Sequence, residues 1–94
     1  MSEESKNDRA IISVLGADRS GIVAAVAGLL AKEDVNICDI SQTILQGMFT
    51  MTMLVELGGA DFATIHEGLE KLSEELGLQV TIQREDVFKF MYRL

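Results

Sequence analysis

The stretch that decides the fold is residues 10–23, which read AIISVLGADRSGIV. It opens with a nearly continuous apolar run over residues 10–15, which predicts a central β-strand covered on both faces. Residues 16–21 follow as a loop bounded by two glycines. From Ser20 onward, apolar residues recur at helical spacing, which predicts a helix with Ser20 as its N-cap. The stretch therefore forms the first half of a β-α-β unit.

Outward from this stretch, the remaining chain alternates between strand-like and helix-like patterns. After the first helix we predict a strand over residues 37–45, a hairpin turn at 46–48, a strand over 49–57, a helix over 62–76, a strand over 78–83 and a short helix over 86–93. The order β-α-β-β-α-β with right-handed crossovers predicts a ferredoxin-like α+β sandwich. Such a fold has a four-stranded antiparallel sheet with two helices on one face, here followed by the short C-terminal helix.

The composition allows one small domain and excludes several classes of protein. The chain has 94 residues, a formal net charge of −7, one Cys and one His. A single Cys forms no intrachain disulfide, and a zinc site built from four Cys or His ligands is excluded as well. The acidic balance argues against direct nucleic-acid binding, which requires clustered Lys and Arg. We expect residues 1–8 to form a flexible tail and residues 9–94 a single domain.

The chain shows no targeting or membrane signal. Its N-terminus is polar, and its longest apolar run, residues 22–31, is shorter than the roughly 20 residues of a bilayer span. We therefore expect a cytoplasmic protein that does not bind membranes. Cys38 stands beside apolar residues of the second strand and is predicted to be a buried, inert thiol. His66 lies outside the apolar stripe of its helix and is predicted to be a solvated surface residue.

The loop before the first helix is the strongest candidate for a binding site. Its glycines allow close approach of the backbone, and the helix start offers unpaired amides to a carboxylate. An ordinary strand-to-helix turn with a Ser cap explains the same residues. Asn36, at the start of the second strand, has an amide suited to a small zwitterion, or it simply closes the first helix. The residues alone leave both pairs of alternatives open.

Several of these segments together resemble an ACT domain. The resemblance rests on residues 10–23, the apolar helix after them, and the sequence Val-Asn-Ile at residues 35–37. The sequence DISQT at residues 39–43 and the acidic, aromatic C-terminus resemble the small stand-alone ACT-domain proteins of bacteria and archaea. Similar domains occur in the glycine cleavage system transcriptional repressor. The resemblance covers roughly residues 9–94.

The resemblance implies a βαββαβ fold, dimerisation, and regulatory binding of an amino acid or a related small molecule at a subunit interface. The residues that match the family's two binding motifs are Asp18, Arg19, Ser20, Gly21 and Ile22 in the loop, and Asn36 and Ile37 in the second strand. The sequence departs from the family pattern at two positions. Many ACT domains have Pro at the position of Ser20 and Gly at the position of Asp34.

The function that we expect is a small non-enzymatic regulatory or sensor module that binds an amino acid-like ligand at a dimer interface. The sequence shows no nucleophile–base pair, metal cluster or paired carboxylates, and we expect no cofactor. The alternative is a homodimeric module that binds a protein partner and no small molecule. A homodimer is expected in both cases, because the second strand has no Lys, Arg or Pro to block edge pairing.

The C-terminal segment is dense in aromatic residues. Phe88, Phe90 and Tyr92 are three of the five aromatic residues in the chain. An apolar terminus of this density does not remain in water. We expect it to pack on the uncovered face of its own sheet or on a partner subunit.

Overall fold

The computed structural model describes residues 8–17 and 21–92, with all their side chains except those of residues 88 and 90–92. Residues 1–7 of the predicted tail, the loop residues 18–20 and the aromatic side chains of the C-terminal segment lie outside this description. The elements in chain order are β1 (Arg9–Gly16), α1 (Ile22–Lys32), β2 (Asn36–Leu45), β3 (Met48–Glu56), α2 (Phe62–Leu76), β4 (Gln79–Arg84) and α3 (Glu85–Tyr92). Among the described residues, no helix is both long and apolar enough to cross a membrane.

The four strands form one antiparallel sheet in the order β2-β3-β1-β4. β1 pairs with β3 on one side and with β4 on the other, so β2 and β4 are the edge strands. This arrangement confirms the predicted ferredoxin-like fold and its short C-terminal helix. The backbone of Asp8 already takes part in it, because its carbonyl accepts a hydrogen bond of 2.8 Å from the N–H of Leu57.

The hydrophobic core lies between one face of the sheet and the helices α1 and α2. Alternate residues of β1 and β3 point into it, and each helix contributes its apolar stripe. The largest fully buried side chains are those of Phe49, Ile12, Leu30, Met51, Met53, Leu57, Ile65, Leu69, Val26 and Val55. Burial of an apolar side chain of this size contributes about 1.5–3 kcal/mol, so this layer supplies most of the driving force for folding.

The opposite face of the sheet, which we call the open face, is not covered by α1 or α2. The side chains of β1 that point to it, including those of Ile11 and Leu15, are only half-buried. Both long helices pack on the other side, so the side chains of β1 on the open face are less buried than the alternate ones. The short helix α3 packs against β1 and β4.

Two tight connections require backbone in the left-handed region. β2 and β3 are joined by Gln46 and Gly47, with φ of 51° and 83°. Positive φ at both central residues is typical of a type I′ hairpin turn. The exit of α1 passes through Asp34, with φ of 63°. This is the position at which many ACT domains have Gly, so Asp34 adopts a conformation that glycine adopts more readily.

We expect Asp34→Gly to stabilise the chain by about 0.5–1 kcal/mol, because it removes the steric cost of a β-carbon at positive φ. Urea unfolding followed by circular dichroism measures the change. The matched control is Ala31→Gly in the last turn of α1, which should lose about 0.5–1 kcal/mol. If Asp34→Gly were also destabilised, the Asp34 side chain would be contributing to the helix exit in its own right.

Candidate functional site

The start of α1 is one half of the predicted site. The helix begins at Ile22 with Gly21 as its N-cap, one residue later than the predicted cap at Ser20. No described side chain caps this end. The first turn of an α-helix leaves N–H groups without intrahelical partners, and the helix dipole is positive there. The other loop residues of the predicted site, Asp18, Arg19 and Ser20, lie outside the described residues.

A recess of about 180 Å³ lies beside the start of α1. Its lining residues are Ala17, Gly21, Ile22, Leu76, Gly77 and Leu78. Next to it, a β-carbon on Gly16 would stand 2.7 Å from side-chain carbons of both Ile22 and Leu78. A β-carbon on Gly21 would meet no described atom within 4 Å. A side chain at residue 16 would therefore displace the ends of the Ile22 and Leu78 side chains, whereas Gly21 leaves open space at the helix start.

The start of β2 is the other half of the predicted site. Asn36 opens this edge strand soon after the exit of α1, as the sequence predicted. Its Nδ2 atom lies 3.4 Å from Oε1 of Glu56 and 3.9 Å from Sγ of Cys38. Ile37 beside it is 36% exposed. An amide and an apolar side chain are thus both accessible at the edge of the sheet.

Within one chain, the two halves of the predicted site lie far apart. Asn36 pairs with Glu56, which pairs in turn with Arg9 at the first residue of β1. Gly16 is the last residue of β1, so the loop after it leaves from the opposite end of the sheet. At about 3.3 Å per residue, the two ends of β1 are about 23 Å apart. A single chain therefore does not bring Asn36 to the start of α1.

An ion pair that the sequence did not indicate connects α3 to the open face. Arg9 donates hydrogen bonds from Nε and Nη2 to the two carboxylate oxygens of Glu85, at 3.0 and 2.7 Å. Nζ of Lys89, one helical turn later, lies 3.7 Å from the same carboxylate. The hydrogen bond from Arg9 holds the pKa of Glu85 below its ordinary value, although burial acts in the opposite direction. The pair joins residues 76 positions apart, and no local pattern relates them.

We expect the Arg9–Glu85 pair to make the stability of the fold depend on pH in acid. Because the pKa of Glu85 is lower in the folded chain, the pair stabilises the fold above the unfolded-state pKa and ceases to do so as the pH falls through the folded-state pKa. Glu85→Gln should therefore lower stability at neutral pH and flatten its decline in acid, measured by urea unfolding between about pH 3 and 7. Glu74→Gln on α2 controls for the loss of one negative charge. An unchanged acid slope in Glu85→Gln would contradict this assignment.

Cys38 lies at a β-bulge and is exposed. The pairing of β2 with β3 shifts register between residues 37 and 39, so Cys38 is an additional residue in β2. The bulge places the thiol on the side of Asn36 rather than on the isoleucine side that strict alternation assigned to it. The prediction of a buried thiol is therefore wrong. Partial desolvation, and then the charge of Glu56, raise the pKa of the Cys38 thiol, which favours the protonated, weakly nucleophilic form.

β2 presents an apolar surface that no described part of the chain covers. All residues of β2 are exposed. Ile37, Ile40 and Ile44 pair with buried residues of β3, so they lie on the helix side of the sheet, and they are 36%, 39% and 64% exposed. One edge of β2 also has backbone groups that pair with no strand of the sheet. An unprotected apolar edge strand is suited to pairing with another chain.

A second concave surface, of about 460 Å³, lies between α1 and α2 on the side away from the sheet. The residues that line it are Ala25, Gly28, Leu29, Lys32, Glu33, Thr64, Glu67, Gly68, Lys71, Leu72 and Glu75. The helices approach closely at Gly68, where a β-carbon would lie 2.8 Å from Cδ1 of Leu29. His66 is exposed on α2, with Nε2 at 3.7 Å from Oε2 of Glu70, which fits the predicted surface residue. This groove has an apolar floor with charges of both signs at its rim.

Comparisons with known proteins cover most of the chain. The family model described as ACT domain matches residues 8–83. A UPF0237 protein of Methanocaldococcus jannaschii is 52% identical over 88 residues, which are 92% of this chain and 98% of the relative. An ACT domain protein from Streptococcus pneumoniae, whose structure is solved, is 41% identical with a TM-score of 0.76, over 89% of this chain and 97% of that one. A structure assigned to a glycine cleavage system transcriptional repressor is 25% identical with a TM-score of 0.74, over 81% of this chain and 44% of that one.

Proposed function

The chain belongs to the ACT domain family, and on that premise we propose that it is a regulatory module that binds an amino acid-like ligand between the two subunits of a homodimer. ACT domain proteins are generally regulatory modules that bind small molecules. The proposed role is sensing without catalysis, and it requires no cofactor. A cytoplasmic location belongs to the same proposal, since a reduced Cys38 thiol suits that compartment.

One observation carries the proposal: β2 is an exposed edge strand that runs from one end of the sheet to the other. One half of the predicted site, Asn36, lies at the first end, and the other half, the start of α1, lies at the second. Antiparallel pairing of β2 with β2 of a second copy, around a two-fold axis, reverses the second strand. Asn36 of one copy then lies at the hairpin end of the other copy's β2. That is the end of the sheet at which Gly16 closes β1 and the loop toward α1 leaves. Dimerisation would thus bring Asn36 to the same end as the other copy's loop.

The residue pattern of β2 favours one register for this pairing. The bulge at residues 37–39 interrupts the regular strand, so residues 39–45 are the stretch suited to pairing. If Ile40 of one copy pairs with Ile44 of the other, two exposed isoleucines contact each other on each side of the two-fold axis. This register places Gln42 on the two-fold axis and Asn36 near Met48 of the second copy.

The proposed contacts follow from the charges of an amino acid. Its carboxylate would accept hydrogen bonds from the amides of residues 20–22, where the unpaired donors and the positive helix end coincide. The Asn36 amide of the second copy, which both donates and accepts, would contact the amino or side-chain group. Asp18 would supply a counter-charge to the ammonium. Arg19 and Ile37 complete the set that the family motifs imply.

A thermal-shift screen of amino acids and related metabolites tests ligand binding directly. A ligand that binds only the folded dimer stabilises it by about 2.7 kcal/mol at 100 times its Kd, which for a domain of this size raises the Tm by about 10–20 °C. We expect a specific hit that Asn36→Ala abolishes. The absence of any hit across a broad, high-concentration screen would favour the ligand-free alternative.

We expect a homodimer paired through β2, with Gln42 on its axis. Light scattering at tens of micromolar measures the mass, and a monomer there would count strongly against the proposal. To locate the axis, Gln42→Cys in a Cys38→Ser background should form an intersubunit disulfide, because directly paired strand residues lie within disulfide range. Glu74→Cys on the exposed side of α2, in the same background, is the control and should remain reduced.

The second candidate function is a homodimeric module that docks onto another protein. The groove between α1 and α2 favours it. Small residues such as Ala25, Gly28 and Gly68 leave an apolar floor there, and an apolar groove of this kind is suited to binding a segment of another protein. In this case dimerisation would persist while the metabolite screen stayed empty. The two functions therefore differ in the ligand screen and agree in the oligomeric state.

A further inference from the structure

The open face of the sheet is organised in rows of neighbouring residues that cross the strands. The register gives the first row as Asn36, Glu56 and Arg9; the second as Asp39, Leu54, Ile11 and Gln83; the third as Ser41, Thr52, Ser13 and Thr81; and the fourth as Thr43, Thr50, Leu15 and Gln79. The third row thus has a hydroxyl side chain on every strand. These row numbers are used below.

The third and fourth rows contain no charged residue, in a chain with a formal net charge of −7 and 24% charged residues. In the second row Asp39 is the only charged residue. Hydroxyl and amide side chains both donate and accept hydrogen bonds, so such a surface is complementary to a copy of itself. Two copies of this acidic chain can therefore meet here with little like-charge repulsion.

We propose that the open face is a second self-association surface, through which two β2-paired dimers stack sheet against sheet to form a tetramer. This inference rests on the dimer of the proposed function, because pairing through β2 places the open faces of two copies side by side in one continuous sheet. The occupant of each open face is then the open face of a second dimer.

The area of the surface supports a dimer of dimers over a pair of single chains. With strands about 4.8 Å apart and rows about 7 Å apart, the second to fourth rows cover about 400 Å² of one chain. That is half of the roughly 800 Å² per partner in a stable interface of standard size. Two open faces joined through β2 offer about 800 Å², which meets this requirement.

The position of α3 is compatible with this stacking. Glu85, its first residue, is held by Arg9 in the first row, so α3 is anchored at that end of the open face. A helix is about 10 Å in diameter, and stacked sheets lie about 10 Å apart. An α3 anchored at the first row therefore lies in the same layer as the opposing sheet and flanks it, and we place the stacking contact in the second to fourth rows.

Light scattering and sedimentation of the full chain, from micromolar to millimolar concentration, test the inference. The wild-type chain should reach the mass of four chains of 10.3 kDa. Thr52→Arg, in the centre of the third row, should reduce it to two chains by placing opposed charges of like sign between the faces. Thr64→Arg, which adds the same charge to an exposed position of α2, is the matched control and should remain a tetramer.

The outcomes separate this inference from the proposed function. A wild-type dimer that never exceeds two chains would overturn the tetramer and leave the β2 dimer and its ligand site standing. A wild-type monomer would contradict both. A tetramer that Thr52→Arg does not dissociate would also overturn the inference, since it would have to assemble through another surface. If Thr52→Arg fails to fold by circular dichroism, Thr81→Arg at the exposed end of the same row takes its place.

Discussion

Leu69→Ala should lower the free energy of unfolding by about 2–5 kcal/mol. Leu69 is 1% exposed and lies at the centre of the apolar stripe with which α2 packs on the sheet. Truncation to alanine removes buried carbon atoms and leaves a cavity that the rigid sheet cannot fully close. Because small domains are stable by only about 5–15 kcal/mol, a loss of this size removes a large part of the total. Equilibrium urea unfolding measures it, with both chains at the same protein concentration so that the contribution of dimer dissociation is the same in each.

The matched control for this prediction is Leu76→Ala in the same helix. Leu76 is 44% exposed at the end of α2, so its truncation opens no enclosed cavity and should cost less than about 1 kcal/mol. The contrast between the two leucines compares the same substitution at a buried and at an exposed position of one helix. A loss below about 0.5 kcal/mol for Leu69→Ala would contradict the assignment of the buried face of α2.

α2 shows why much of the fold could be predicted from the sequence. Its observed limits, Phe62–Leu76, are the predicted ones because independent local signals coincide there. Apolar residues recur at helical spacing, Asp61 stands at the N-cap, and Gly77 stands at the C-cap with φ of 68°. Each signal acts within a few residues, so it can be read without knowledge of the rest of the chain.

The errors arose where distant segments decide the outcome. Strict alternation assigned Cys38 to the inner side of β2, but the bulge that exposes it depends on how β2 pairs with β3. The Arg9–Glu85 pair was not predicted, because only the folded sheet brings the first strand to the last helix.

For the candidate site, the sequence predicted the residues but not their arrangement in space. The loop motif and Asn36 were both identified from the sequence, and Gly21 and Asn36 lie at a helix start and a strand start as expected. Their separation to opposite ends of the sheet follows from topology, which a motif does not contain. Whether they form one site therefore depends on assembly, and a test must distinguish residues within one chain from residues of two chains.

Gly21→Val and Asn36→Ala should each weaken the binding of a ligand confirmed in the screen by about 10- to 150-fold, the equivalent of about 1.5–3 kcal/mol. Valine would obstruct the approach of the ligand to the amides of the helix start, and alanine would remove a hydrogen bond to a charged group. The Gly21 backbone has φ of −93°, and a β-carbon there meets no described atom within 4 Å, so valine should fold normally and obstruct only the ligand. Isothermal titration calorimetry measures the affinities. Gly59→Val, at another glycine with open space, and Gln79→Ala, on the opposite edge strand, are the matched controls. Each variant is first checked for folding and for dimer mass.

Mixing the two variants shows whether the site is shared between subunits. If Gly21 of one copy and Asn36 of the other form one site, a heterodimer of the two variants contains one site with both defects and one intact site. Unfolding and refolding an equal mixture makes about half of the dimers heterodimers, so about one quarter of all sites should recover wild-type affinity. If both residues served a site within one chain, every site in the mixture would still carry one defect and none would recover. If each variant alone kept full affinity, the ligand would bind elsewhere, and residues 16–21 would be only a turn that starts a helix.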